Sequence, residues 1–359
     1  MQPPIELSVV EDIPFVEDLR VVDMHAHYVS PDLIHEAETN GAAYGVSIRP
    51  EPDGRARLVF PDGTVLRPFF HELGDLDVRV PGMDAAGIGL QIVSTWTDMA
   101  GDQLPPAEGA RWSRLQNETL AADTAVRGER FAAMGTLPLQ DVPLALAELD
   151  HMARNLGMRS VEIGTNINGR DLDHDDFRPL WKRLCDLDML VLLHPPFKPV
   201  GEGRNGDYFL NNLISFPVDT TIAAARLMFS GILDDLTGLK ICLAHAGGFL
   251  PYQIGRFDRG FAAHPACSRS LGQAPSSLLD RFFYDTLTHD DAALAFLMTQ
   301  VGAERVVYGS DYPFEMLDPT GPERVRRLGL GMAEEDAVLG ETIRDLLFTA
   351  EAPRTKAEG

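Results

Sequence analysis

Basic residues are scarce in this chain of 359: 31 Lys and Arg stand against 54 Asp and Glu, a formal net charge of −23. Such a surplus repels phosphate backbones and anionic lipid surfaces, so neither nucleic acid nor membrane is an expected partner. Cysteine is almost absent. Cys185, Cys242 and Cys267 are odd in number, far apart and never arranged as CxxC, which argues against a disulfide framework or a structural zinc knot and fits a reducing cytoplasm. No apolar run approaches the ~18 residues of a membrane span. The opening "MQPPIELSVVEDIPFVEDLR" carries acids where a signal peptide needs bases. No glycine-rich GxGxxG turn follows the first apolar run either. That leaves little support for the dinucleotide-binding form of a doubly wound sheet, the structural alternative to the reading below.

What is present is a recurring unit. Eight short apolar runs lie at 20–27, 89–95, 130–137, 159–165, 189–194, 239–245, 282–289 and 305–311. They have the near-continuous hydrophobicity of strands buried on both faces. Between most of them lie segments with apolar residues at three- and four-residue intervals, such as 143–157 and 177–188, which predict helices. Eight strand–helix units are the count of a (β/α)8 barrel, an α/β fold whose usual length range includes this chain as a single domain over 1–359. Residues 28–82 fall outside the repeat. Their alternating pattern with "PDG" twice predicts small antiparallel hairpins inserted after strand one, over the face where barrel active sites lie. The last forty or so residues read as closing helices, ending in a polar, frayed tail at 352–359.

Titratable residues gather at one place in this pattern, the carboxyl ends of the expected strands. His25 and His27 end the first, His194 the fifth, His245 the sixth and Asp311 the eighth. Taken singly each has a bland account: HxH is common, His194 precedes a proline, His245 sits in a turn-like "AHAGG", and Asp311 in "GSDYP" can form an Asx turn. In a barrel, however, those ends converge on one mouth. The period of two places His25 and His27 on one side of their strand with Ala26 packing outside. Three neutral imidazoles and a carboxylate suit Zn²⁺ or a similar first-row ion with an open position. His25, His27 and His194 are the expected ligands. Asp311 is expected to bind the ion and to accept a hydrogen bond from its water, and His245 to carry a proton near neutral pH. Gly247 and Gly248 allow close backbone approach there. His35, His71, His151, His174 and His264 are expected to be solvated, and His289 is an outside candidate for the mouth.

The stretches "DMHAH", "LLHPP", "LAHAGGFLPYQIGRFDRGF" and "VVYGSDYPF" resemble the metal-dependent amidohydrolase superfamily (amidohydrolase family 2), and within it the decarboxylase branch that includes the aminocarboxymuconate-semialdehyde decarboxylases; the similarity runs over about residues 21–320. The resemblance implies a (β/α)8 barrel, one divalent ion held by His25, His27, His194 and Asp311, and His245 as catalytic acid/base. Relatives with an acid in place of the first histidine of HxH often use manganese; the histidine here favours zinc. The resemblance also implies a homodimer in which Arg256 reaches the neighbouring site to bind a substrate carboxylate.

Two departures bear on substrate. Where those decarboxylases carry a second carboxylate-binding arginine, this chain aligns Phe70, with Arg67 three residues away as a possible replacement; where they carry tryptophan after "HP", it has Pro196 followed by Phe197. A less anionic, aromatic acid then fits a pocket lined by Phe70, Trp96, Phe197 and Phe314. The leading expectation is a non-oxidative decarboxylase of a small aromatic or muconate-like carboxylic acid. The alternatives are a hydrolase of amide, lactone or C–C bonds, or a hydratase, using the same site. A non-catalytic barrel would have lost a ligand or the acid/base residue, and none is missing.

Overall fold

The computed structural model describes residues 21–348 apart from 197 and 202. The amino-terminal segment read against a signal peptide, the frayed tail at 352–359 and Phe197 therefore lie outside the described residues.

Twelve strands appear among the described residues: β1 (Val21–Tyr28), β2 (Ser47–Pro50), β3 (Ala56–Val59), β4 (Ile88–Thr95), β5 (Phe131–Met134), β6 (Ser160–Gly164), β7 (Asn166–Ile167), β8 (Arg170–Asp171), β9 (Leu190–His194), β10 (Lys240–Leu243), β11 (Phe283–Asp285) and β12 (Val306–Val307). Eight of them coincide with the eight apolar runs. All eight pair in parallel, in the orders β1-β4-β5 and β6-β9-β10-β11-β12. Two parallel bridges, Gly135 with Val161 and Ala26 with Tyr312, join the two sheets at both seams and close the barrel. The last run is strand only at Val306–Val307, but Met24 N–H to the Tyr308 carbonyl (3.0 Å) and Asp311 N–H to the His25 carbonyl (2.8 Å) keep the rest of it alongside β1.

A helix follows each barrel strand, and local chemistry starts them where the sequence suggests. Asp141 caps the helix Val142–Asn155 by accepting from Leu144 N–H, and that helix buries Ala145, Leu149 and Met152 at helical spacing. Inside the barrel Val22, Met24, Leu90, Ile92, Leu190 and Leu192 interdigitate, while Ile343 and Leu347 of the last helix pack against them from below. The strict alternation expected for the first strand is broken. Val22 and Met24 face the interior and Ala26 the outer helices, and the β1–β4 register slips between Asp23 and Ala26. This bulge lets two inward positions be followed by two inward histidines.

The insertion differs from its expected form. The hairpin β2–β3 and a second turn at residues 60–64 do use the two "PDG" sequences, with Gly54 and Gly63 at positive φ. A helix at Pro31–Asn40, capped by Ser30, precedes them and carries Leu33 and Ala37 into the same apolar cluster. Ser30 and Pro31 are a start signal that outweighs the hairpin pattern further on.

Arg79 fastens this insertion to the barrel. Its buried guanidinium donates to Gln91 Oε1 (2.9 Å) and to the carbonyls of His27 (3.1 Å) and Glu72 (3.0 Å), and lies 4.7 Å from the Tyr312 ring centroid. Burial pulls its pKa down to about 10, so it stays cationic at neutral pH. Replacing Arg79 with methionine is expected to cost about 3 kcal/mol, because three acceptors lose a charged donor. Urea unfolding followed by circular dichroism measures this, and a midpoint equal to wild type would contradict it.

Candidate metal centre

His25, His27, His194 and Asp311 come from three separate parts of the chain and meet, all buried, at the carboxyl end of the barrel, each with a donor atom within 4.8 Å of the others. His25 Nε2 and His27 Nε2 are 3.3 Å apart, and Asp311 Oδ1 is 3.7 Å from the first and 3.3 Å from the second. Ligand atoms around a tetrahedral ion with bonds of ~2.0 Å stand roughly 3.3 Å apart, so the spacing suits a small divalent ion.

Hydrogen bonds on the far sides of the rings decide which nitrogen faces inward. His25 Nδ1 lies 2.8 Å from Asp285 Oδ2, and His194 Nδ1 lies 2.9 Å from the Pro195 carbonyl; both partners only accept, so both Nδ1 atoms carry the proton. His27 Nδ1 meets Ser94 Oγ at 3.1 Å. With His25 protonated on Nδ1, the neutral ring turns a bare lone pair on Nε2 toward His27. The buried His194 Nε2 and Asp311 Oδ1 have no hydrogen-bond partner among the described residues. Inward lone pairs and a carboxylate oxygen without donors are what a cation would satisfy.

The charges agree with that reading. Burial and the neighbouring His245, His25 and His27 hold His194 well below the usual imidazole range. Burial alone would raise Asp311, but the facing imidazoles of His245, His27 and His25 outweigh it and keep the carboxyl well below its ordinary value. Burial would likewise lower His25, yet the Asp285 hydrogen bond and the Asp311 charge prevail and raise it.

His245 follows β10 in a turn where His245, Ala246, Gly247 and Gly248 all have positive φ. A Cβ on Gly248 would lie 2.1 Å from the Pro217 carbonyl, so the close approach anticipated at this glycine is present. The His245 ring is 5.1 Å from that of His194 and stacks on Phe216 at 6.3 Å; its Nε2 is 3.9 Å from Asp311 Oδ2. It borders the donor cluster without being one of its four members.

Asp285 was not anticipated. One buried carboxylate accepts from His25 Nδ1 and from the backbone N–H groups of His245 (2.9 Å), Ala246 (2.7 Å) and Leu287 (3.1 Å). An acid in the middle of the apolar run "FFYDTL" was the available signal, since a lone buried carboxylate is costly unless its oxygens are filled.

Beside His27 stands an aromatic wall. Phe314 is 5.2 Å from the His27 ring, Trp96 5.6 Å and Phe70 6.1 Å from Phe314. Arg67 is part of it: its guanidinium lies 4.6 Å from Phe314, 5.2 Å from Trp96 and 5.6 Å from Phe70, and Nη1 pairs with Glu315 at 2.7 Å. Arg256 is exposed on the helix Leu250–Ala263. His35, His71, His174 and His264 are exposed as expected, and His289 is exposed and outside the cluster. His151 departs from expectation: it is half-buried, with Nε2 3.3 Å from Glu118.

A family model described as Amidohydrolase matches residues 22–349. The chain is 30% identical over 296 residues to a 2-amino-3-carboxymuconate-6-semialdehyde decarboxylase of Dictyostelium discoideum, covering 82% of each chain. It is 31% identical over 282 residues to a gamma-resorcylate decarboxylase of Rhizobium sp. (strain MTP-10005), covering 72% of this chain and 83% of that one. Among solved structures, a 2,6-dihydroxybenzoate decarboxylase complexed with 2,6-dihydroxybenzoate superposes with a TM-score of 0.73 at 25% identity, over 91% of this chain and 98% of that one.

Because protons and metal compete for the same Nε2 atoms, and the raised His25 pKa lets the proton in early, metal retention is expected to fall as pH drops from 8 to 5. The apparent affinity should fall by about tenfold per pH unit for each ligand proton displaced. Elemental analysis after dialysis at stepped pH measures it; stoichiometric metal retained at pH 5 against a chelator would contradict it.

Proposed function

The chain belongs to the amidohydrolase family, and from that premise we propose that it is a metal-dependent non-oxidative decarboxylase, a carboxy-lyase acting on a small aromatic or muconate-like carboxylic acid. The observation that carries the reading is a buried cluster of three imidazoles and a carboxylate, bordered by His245 beside His194 and by an aromatic wall beside His27. His25, His27, His194 and Asp311 would hold one divalent ion, for which three imidazoles and a carboxylate favour zinc, with manganese the alternative. Bound there, the ion supplies positive charge that draws in the substrate carboxylate and an adjoining oxygen.

The protein's own groups do the rest. Phe314, Trp96 and Phe70 offer flat surfaces against which an aromatic acid packs. His245 delivers a proton to the ring carbon that bears the carboxylate. That carbon becomes tetrahedral, the bond to the carboxylate breaks with its electron pair returning to the ring, and CO₂ leaves; solvent then restores the proton to His245. Asp311 Oδ2 lies 3.9 Å from His245 Nε2, where it can orient the ring toward the substrate.

A homodimer completes the proposal. Arg256 is exposed on the same helix as Tyr252, whose ring lies 6.1 Å from Phe296 beside the exposed Phe249. Such an apolar face would cover itself against a second copy and carry Arg256 toward the partner's site, where a guanidinium can bind a carboxylate bidentately. Among the described residues no helix is long and apolar enough to cross a membrane. The three unpaired cysteines favour a cytoplasmic setting.

Screening hydroxybenzoates and carboxymuconates for released CO₂ tests the activity; turnover of lactones or amides with no gas from any carboxylated aromatic would move the assignment to a hydrolase. Replacing His245 with alanine should lower kcat by at least about 100-fold with metal content intact, and an active H245A enzyme would remove the proton-transfer role. For the dimer, mixing inactive H245A with inactive R256A should restore about one quarter of wild-type activity, since half of the dimers are then mixed and each of these holds one complete site of two. No recovery on mixing would mean that Arg256 serves its own subunit or none.

A further inference from the structure

Glu162, on β6, is buried next to the donor cluster but is not one of its four members. Both of its oxygens are taken by hydroxyls: Ser94 Oγ donates to Oε2 and Thr97 Oγ1 to Oε1. Each hydroxyl oxygen in turn lies 3.1 Å from an imidazole Nδ1, that of Ser94 from His27 and that of Thr97 from His194. One carboxylate thus reaches two of the three imidazoles along two hydroxyl arms.

The chemistry of those arms is directional. Both hydroxyls donate to Glu162, so each turns a lone pair to its imidazole. A lone pair can meet Nδ1 favourably only if Nδ1 carries hydrogen, and the neutral ring then leaves Nε2 bare. We propose that Glu162 is a positioning residue that acts through Ser94 and Thr97 to hold His27 and His194 as Nδ1–H tautomers, presenting their Nε2 atoms to a divalent cation. The inference rests on the metal-centre reading above, but the hydrogen bonds it concerns are readable without the ion.

His27 depends on this arrangement most. Asp285 serves His25 by direct contact and the Pro195 carbonyl shares the work at His194, whereas His27 Nδ1 meets Ser94 Oγ with Glu162 Oε2 behind it at 3.7 Å. A glutamine at position 162 has one accepting end and one donating end. The hydroxyl facing the donating end must accept there and send its own proton elsewhere. Toward His27 that proton would occupy Nδ1, move the ring proton to Nε2 and block the donor atom.

The test uses the full chain in two readouts. In ¹⁵N-histidine-labelled apoprotein at pH 8, the nitrogen shifts of His27 should report Nδ1–H in the wild type and a gain of Nε2–H in E162Q. By competition with a chromophoric chelator, E162Q should bind Zn²⁺ about 10- to 100-fold more weakly. Adding E162Q to an S94A/T97V background should cause little further loss, because Glu162 then has no arms to act through. A wild-type His27 tautomer and affinity in E162Q, or an equal loss in the background without hydroxyls, would overturn the proposal. Should E162Q fail to fold by circular dichroism, S94A/T97V alone decides: weakened Zn²⁺ binding on an intact fold supports the relay, and unchanged binding overturns it. A wild type that binds no divalent ion would instead undo the metal-centre reading and leave the tautomer result to stand by itself.

Discussion

The hydrogen bond from His25 Nδ1 to Asp285 is the contact on which the rest of the barrel mouth depends. Asp285 lies at the end of β11 with no solvent access, where an ionised carboxylate is tolerated only if donors fill its oxygens. Burial pushes its pKa up, but the bond and charge of His25, with further help from His245 and the Ala246 N–H, outweigh burial and hold it below the ordinary carboxylate range. Every donor that satisfies it belongs to the barrel mouth: the His25 ring of the donor cluster, the backbone of His245 and Ala246, and Leu287 just past the same strand end. The need to satisfy one buried charge therefore fixes the distance between the donor cluster and His245, and it supports a turn of four successive positive-φ residues that few other contexts would hold.

The same logic repeats where β1 meets the eighth strand run. Asp23, buried on β1, accepts from Ser310 N–H (3.0 Å), from Ser310 Oγ (2.6 Å) and from Gln91 Nε2 (2.8 Å), and Gln91 in turn receives Arg79. Ser310 is the neighbour of Asp311, so a carboxylate two residues before the first histidine of the donor cluster sets the position of the cluster's aspartate after the eighth strand. The β1 bulge belongs to this arrangement. A regular strand facing Val22 and Met24 inward would turn His25 and His27 outward, and the register slip restores them to the mouth. Ligand geometry, barrel closure and strand irregularity are thus one solution to the cost of burying charge.

Much of this was legible in the chain itself, for physical reasons that differ by element. The eight barrel strands stood out because a parallel strand covered on both faces must be apolar throughout, and the four donors because polar side chains at successive strand ends can share only one mouth. The buried acids escaped notice for the converse reason. Asp23, Glu162 and Asp285 each interrupt an apolar run once, and a single interruption does not reveal whether it turns to solvent or to partners hundreds of residues away. The helix at Pro31–Asn40 was hidden by the stronger hairpin signal that follows it. Whether Arg67 or Phe70 meets the site depends on the exact path of the insertion, which no periodicity encodes.

That path changes what the pocket can select. Phe70 does stand in the wall, but so does Arg67, sandwiched among three rings that hold its guanidinium in place. Glu315, its ion-pair partner, is 70% exposed, and the Arg67 bond lowers its pKa only as a surface contact does. An exposed pair of this kind contributes at most about 1 kcal/mol, so a polar group on the substrate can displace Glu315 at little cost. The rings, by contrast, are fixed by packing and cannot yield without opening a cavity. The wall therefore joins rings held by packing to one cation whose counter-ion is weakly held, a rigid flat surface beside an adaptable charge.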